Sequence, residues 1–365
     1  MYFIFVLNHP AHYHLFKNVI ADLKFRNHDC EIFIRPKDIL QDLLDNDGIL
    51  YHKFNPHNRG KKGIIISSLL GLVKKSIELK NFIKKKKPDL LIGTDWAITT
   101  VGKISGIPSL VFNEDDTIAT PENKLFYRLA DTLVMPDCCD QGLWGQKRIP
   151  YAGYHELAYL HPARFQFNPK LIVKLIDLDK PYIIIRLVKL TASHDLGKRG
   201  LGYELLDEII RLAENDHQIL VSFEGDYDPK YERFRFKFDP TLMHYFLAGA
   251  KMVIGDSQTM IAEAAVLGTP AIRFNDFVGK LGYLNELELK YSLAFGFSTK
   301  EKERFLTKVD DLLMSENLKN IWLKKIIKLY EDKINVSDFF LWFLENYPHS
   351  LEIMKDNPDY QLKFR

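Results

Sequence analysis

Nine short apolar runs punctuate the chain, and their order predicts its architecture. YFIFVL (2–7), CEIFI (30–34), DLLIG (89–93), PSLVF (108–112) and DTLVM (131–135) are nearly continuous rather than alternating, as in strands buried on both faces of a parallel sheet. The segments between them are long enough for crossover helices. A second series, PYIIIRL (181–187), QILVSF (218–223), KMVIG (251–255) and PAIRF (270–274), repeats the pattern. The fold class expected is α/β, with two Rossmann-like doubly wound domains. The stretch HPARFQFNP (161–169) has two prolines and no clear period, which puts the junction near 160–180. The tail VSDFFLWFLENYP (336–348) has aromatic and aliphatic residues at helical spacing and is expected to dock across that junction. The expected limits are 1–165, 175–335 and 336–365.

Composition narrows the class. The 365 residues, 46% hydrophobic and 13% aromatic, are enough for two packed cores. Cys30 and the adjacent Cys138 and Cys139 form no disulfide or zinc framework of familiar spacing, which fits a reducing cytoplasm. The apolar N-terminus lacks a basic lead and a small-residue cleavage site, so it reads as a strand rather than a signal peptide. GIIISSLLGLV (63–73) falls well short of the roughly 20 residues a membrane span needs. The formal charge of +2 hides an asymmetry: residues 53–87 carry +10 and the rest −8. Such a face attracts anionic lipid headgroups, the plainer alternative being a solvated lysine-rich helix. Its confinement, with few interleaved aromatics, argues against nucleic acid. The chain has no GxxxxGK[ST], and its first strand runs into NHPAHYH rather than GxGxxG, which removes kinase and dinucleotide oxidoreductase readings.

Five segments follow strands and carry candidate chemistry. In NHPAHYHLFK (8–17), His9, His12 and His14 lie close together without HExxH or clustered carboxylates, so no metal site is expected. The cluster suits substrate hydrogen bonding or one general base, with His12 at the opening of the next helix, and structural capping is the alternative. GTDWAIT (93–99) and FNEDDT (112–117) place Asp95, Glu114, Asp115 and Asp116 on consecutive strand-end loops, where two carboxylates can meet one substrate with different pKa values. Asp95 equally suits the cap of a helix starting near Trp96. KLTASHDLGKRGLG (189–202) offers Lys198 and Arg199 for a phosphate, with His194 over the cleft. In GDSQTMIAEAAVLGTP (255–270), Gly255 permits a tight exit, Asp256 or Ser257 caps the helix and Gly268 ends it. Glu263, two turns into that apolar helix, needs a partner or solvent.

The stretch GDSQTMIAEAAVLGTPAIRF (255–274) resembles the nucleotide-sugar segment of GT-B proteins, particularly the non-hydrolysing UDP-N-acetylglucosamine 2-epimerases. Through HPAHYHLFK, ASHDLGKRGLG and YAGYHELAYLHP (151–162), the whole chain is similar to a prokaryotic family of unknown function allied to glycosyltransferases. The resemblance implies two Rossmann-like domains facing a cleft. It implies a nucleotide-sugar, UDP-linked, whose phosphates meet Gly255, Ser257, Gln258 and Thr259 and whose ribose meets Glu263. Arg186, Lys198 and Arg199 would steady the leaving diphosphate, with no metal or other cofactor. By position, Asp95, Glu114 and His194 correspond to the acids and histidine that act on the sugar in the epimerases. GTDWAIT and FNEDDT nonetheless stand where that family has HGDT-like and HVEAGLR-like wording, which favours a glycosyltransferase of surface polysaccharide or glycolipid assembly. The base would be His12, Asp95 or Glu114. A 2-epimerase and a catalytically silent sugar-nucleotide-binding protein are the alternatives. The partners expected are a saccharide or lipid-linked acceptor and the inner membrane face, with a homodimer allowed.

Overall fold

The computed structural model of the protein describes residues 1–36, 39–55, 64–114, 116, 127–139, 142–188 and 200–365, with side chains undescribed in 64–69 and 142–144. The chain divides into two units, Met1–Tyr159 with Ile334–Arg365, and Leu160–Lys333.

The first unit is built on β1 (Tyr2–Leu7), β2 (Asp29–Ile34), β3 (His52–Lys53), β4 (Leu90–Gly93), β5 (Ser109–Phe112), β6 (Thr132–Pro136) and β7 (Arg148–Tyr151). They form one sheet in the order β3-β2-β1-β4-β5-β6-β7, with every pair parallel. All six residues of β1 are buried, as a central strand covered on both faces requires. The helices α1 (Pro10–Phe25), α2 (Leu40–Asn46), α3 (Ile64–Ile83) and α4 (Trp96–Ser105) make the crossovers. Strand order reverses between β1 and β4, which makes the carboxyl ends of those two strands the topological switch point. Gly93 closes β4 there with φ +153, and a Cβ on it would lie 2.4 Å from the Val6 carbonyl oxygen.

The second unit repeats the plan with β8 (Tyr182–Leu187), β9 (Gln218–Phe223), β10 (Met252–Gly255), β11 (Ala271–Phe274) and β12 (Ala294–Phe297). Their order, β12-β11-β10-β8-β9, puts its switch point between β8 and β10. Its helices are α5 (Tyr203–Ala213), α6 (Met243–Gly249), α7 (Gln258–Val266), α8 (Gly282–Leu289), α9 (Lys302–Met314) and α10 (Leu318–Asp332). The tail helices α11 (Val336–Glu345) and α12 (His349–Asp356) count with the first unit, where Phe340 meets Phe112 and Tyr151 edge-on at 4.7 and 5.1 Å.

All nine strands expected from the apolar runs form, each within a residue of its expected limits. The three additional strands, β3, β7 and β12, all lie at sheet edges. An edge strand pairs on one side only, so it can be as short as two residues or carry Pro150 or Gly296 without losing a ladder on both flanks.

Candidate functional site

In the first unit, Asn8 leaves β1 at the switch point and links two of the expected residues. Its backbone N–H donates to His12 Nδ1 at 3.2 Å, and its side-chain amide donates to Asp95 Oδ2 at 2.5 Å. With Nδ1 accepting, the proton of a neutral His12 ring sits on Nε2, so the ring presents a donor. Thr94 Oγ1, 2.9 Å from Nδ1 and 3.1 Å from Nε2, packs against the same ring. The helix α1 opens one turn earlier than expected, with Pro10 in its first turn and His9 as its cap, accepting the Ala11 N–H at 3.2 Å.

Asp95 is 6% exposed and fully engaged. Its Oδ1 accepts the Ala97 N–H at 2.6 Å and so caps α4, while the Lys75 ammonium pairs with Oδ2. Burial alone would push its carboxyl up; Lys75, the Ala97 N–H and the Asn8 amide outweigh it and hold the carboxyl below its ordinary value. Asp95 is therefore an ionised anchor and a weak base.

Glu114, on the next strand end, belongs to a different group. Its Oε2 accepts the His155 N–H at 3.3 Å, and its Oε1 lies 3.5 Å from His155 Nδ1. Burial pushes His155 down to about 3, which keeps the imidazole neutral. The Glu114 main chain is pinned as well: its N–H donates to Asn113 Oδ1 at 3.0 Å and its carbonyl accepts from Cys139 Sγ at 3.0 Å. Asp116 is buried, and Asp115 lies outside the described residues.

In the second unit, Ser257 is the cap of α7, its Oγ accepting the Met260 N–H at 3.3 Å. The N–H groups of Gln258 and Thr259 open the helix at the carboxyl end of β10, beside the β8 switch point. One row crosses the sheet here: Ser222, Arg186, Gly255, Arg273 and Gly296 are partners in register. Register partners in parallel strands point to one face, so the glycines leave room beside two arginines. A Cβ on Gly255 would lie 2.5 Å from the Arg186 carbonyl oxygen. Arg186 donates from Nη1 to Ser222 Oγ at 2.8 Å, and Arg273, fully buried, donates from Nη2 to Glu288 at 2.8 Å.

Asp256 does not cap the helix. Its Oδ1 accepts the Val188 N–H at 2.8 Å and its Oδ2 accepts the Leu201 N–H at 3.1 Å, so one carboxylate ties the two sides of segment 189–199. A Cβ on Gly200 would come within 2.4 Å of Oδ2. Glu263, 5% exposed, faces α6, with Oε1 3.0 Å from His244 Nε2. His194, Lys198 and Arg199 lie outside the described residues. A cavity of about 230 Å³ in this unit, lined in part by Phe165, Lys251, Lys319 and Tyr330, opens at the other end of the sheet, where Ala250 and Pro270 precede β10 and β11.

Asn8, Thr94 and Lys75 were not among the expected residues. Asn8 carried a signal, a polar residue directly after a buried strand, but nothing in the spacing ties Lys75 to Asp95.

Two doubly wound parallel units of this kind define the GT-B class of fold, and solved structures agree. The S. aureus MnaA–UDP structure superposes with a TM-score of 0.67 at 12% identity, covering 95% of this chain and 97% of that one. The Methanocaldococcus jannaschii UDP-GlcNAc 2-epimerase with UDP-GlcNAc and UDP gives 0.61 at 16% identity, over 87% and 94%. The spinosyn rhamnosyltransferase SpnG with spinosyn aglycone gives 0.60 at 13% identity, over 95% and 100%. At such identities the likeness establishes the fold. No curated protein sequence matches. The model of the family described as "Protein of unknown function (DUF354)" matches residues 2–281, and the chain belongs to that family.

Proposed function

We propose that the protein is a glycosyltransferase that moves a sugar from a nucleotide-sugar, UDP-linked, to a saccharide or lipid-linked acceptor in surface polysaccharide or glycolipid assembly. The observation that carries the reading is the opening of α7 at the carboxyl end of β10: two helix-start N–H groups and the Ser257 cap lie beside the switch point, next to a glycine in register with Arg186. A helix start of this kind favours a diphosphate. Gly255, Ser257, Gln258 and Thr259 would meet it, with Arg186, Lys198 and Arg199 balancing charge on the leaving group. Glu263 would accept ribose hydroxyls, its carboxylate steadied by His244.

The first unit supports a single proton transfer. Lys75, Asn8 and the α4 cap hold the Asp95 carboxyl below its ordinary value and make it a weak base, so the base would be Glu114, held by its contacts with His155. The acceptor hydroxyl oxygen bonds to the anomeric carbon as the bond from that carbon to the diphosphate breaks. The nucleoside diphosphate leaves with the electron pair, and Glu114 takes the hydroxyl proton. His12 Nε2–H would donate to a sugar oxygen, with His194 as a further sugar contact. A 2-epimerase, the second reading, draws on Asp95 and Glu114 standing on adjacent strand ends. Nucleoside diphosphate release from UDP-sugars, measured with and without saccharide and lipid-linked acceptors, tests the proposal. Release that depends on acceptor supports transfer, and release without any acceptor contradicts it.

A further inference from the structure

The helix α3 exposes an apolar stripe. Leu70, Val73 and Ile77 recur at i, i+3 and i+7, the spacing of one helix face, and are 47%, 47% and 54% exposed. The opposite side of the helix is buried through Leu79 and Ile83, so the stripe faces outward rather than into the core. Exposed aliphatic residues standing singly need no account, but three on one helix face do.

The charge around the stripe says what fits it. Lys74 sits between its members, and Lys84, Lys85, Lys86 and Lys87 follow the helix end, all exposed. Lys75 and Lys86 are used inside the unit, pairing with Asp95 and Asp29. Lys74, Lys84, Lys85 and Lys87 have no ion pair with any described residue. Glu78 is the one acidic residue in 64–87, and its Oε2 accepts the Asn55 N–H at 3.0 Å.

From this juxtaposition we infer that α3 is a membrane-contact helix, lying on an anionic bilayer surface with Leu70, Val73 and Ile77 in the headgroup–acyl boundary and the lysines among anionic headgroups. A second copy of the chain is a poorer occupant. A two-fold contact would bring the same lysines together with no acidic residue on the stripe to meet them. An anionic surface answers both features, since an apolar stripe adds burial to electrostatic attraction. The inference goes beyond the transferase reading and stands without it, because no step of sugar transfer enters the argument.

The test is sedimentation of the full chain with phosphatidylcholine–phosphatidylglycerol vesicles against pure phosphatidylcholine vesicles. Binding is expected to the anionic vesicles alone at low salt and to fall as salt rises toward about 1 M, where the Debye length shrinks to roughly 3 Å. Ile77→Asp should weaken binding at least about tenfold by removing apolar burial and adding a repelled charge. Each of Lys84→Gln, Lys85→Gln and Lys87→Gln should weaken it about fivefold. All four positions are on the surface or nearly so, and an unchanged circular dichroism melt checks that the variants fold. Absence of binding to anionic vesicles at low salt would overturn the inference. So would a chromatographic dimer that Ile77→Asp dissociates, which would give this face to a second copy.

Discussion

His244 Nε2 and Glu263 Oε1 lie 3.0 Å apart in the buried contact between α6 and α7. With the carboxylate as acceptor, Nε2 carries the ring proton. The pair gives an acidic residue in an otherwise apolar helix the partner that burial demands. Removing either member strands the other, so Glu263→Gln and His244→Phe should each lower stability by about 1–3 kcal/mol. In a double-mutant cycle the combined loss should fall short of the sum by at least about 0.5 kcal/mol. Glu263→Gln should also weaken UDP binding about tenfold by calorimetry, the loss of one charged hydrogen bond. Unchanged UDP affinity would leave the His244 pair as the whole role of Glu263.

Asp256 should impose a pH dependence. Burial pushes its carboxyl up to about 7, against the opposing pull of the Val188 and Leu201 N–H groups. A carboxyl raised on folding is protonated in the native state while the unfolded chain is already ionised. Its contribution is thus full below the ordinary value of 3.8 and is lost as pH rises toward 7. Urea midpoints of the wild type should fall across that window, and Asp256→Asn should flatten the slope. An equal slope in the variant would show that another group titrates.

Lys75→Met should be among the most damaging single changes on α3. It leaves the Asp95 carboxylate, 6% exposed, without its cation, at a cost of about 3–5 kcal/mol. Adding Asp95→Asn should recover part of that loss, because the amide needs no counter-charge. Here the sign is opposite to that of Asp256. The lowered Asp95 carboxyl supports the fold above its unfolded value of 3.8, and the support is lost as pH falls through the folded value. Equilibrium unfolding of both variants checks the ordering, and a double variant no more stable than Lys75→Met would contradict it.

The parts legible in the sequence are those where one physical demand dominates. Central strands such as Phe3–Leu7 or Ile183–Ile185 must be apolar throughout, and so they stand out in the sequence. The edge strands His52–Lys53, Arg148–Tyr151 and Ala294–Phe297 meet weaker demands and left no run to find. Helix starts were legible to within a choice: Ser257 rather than Asp256 caps α7, and His9 rather than His12 sits at the head of α1. Gly268, with φ +74, ends α7 as its type suggested. Long-range polar partnerships were not legible. Nothing in the chain announces that Lys75, counted with a basic surface, reaches Asp95, or that the Asp256 carboxylate spans from Val188 to Leu201.

Proton chemistry at the sugar separates transfer from epimerisation most directly. An epimerase exchanges the proton at C2, whereas transfer to an acceptor leaves that carbon untouched. The protein incubated in D2O with UDP-N-acetylglucosamine and no acceptor should therefore place no deuterium at C2, as read by NMR. With acceptor present, Glu114→Gln should abolish transfer while UDP binding, which the proposal assigns to the second unit, stays unchanged. Deuterium at C2 in the wild type, lost in Glu114→Gln or Asp95→Asn, would contradict the transferase account and establish the epimerase in its place.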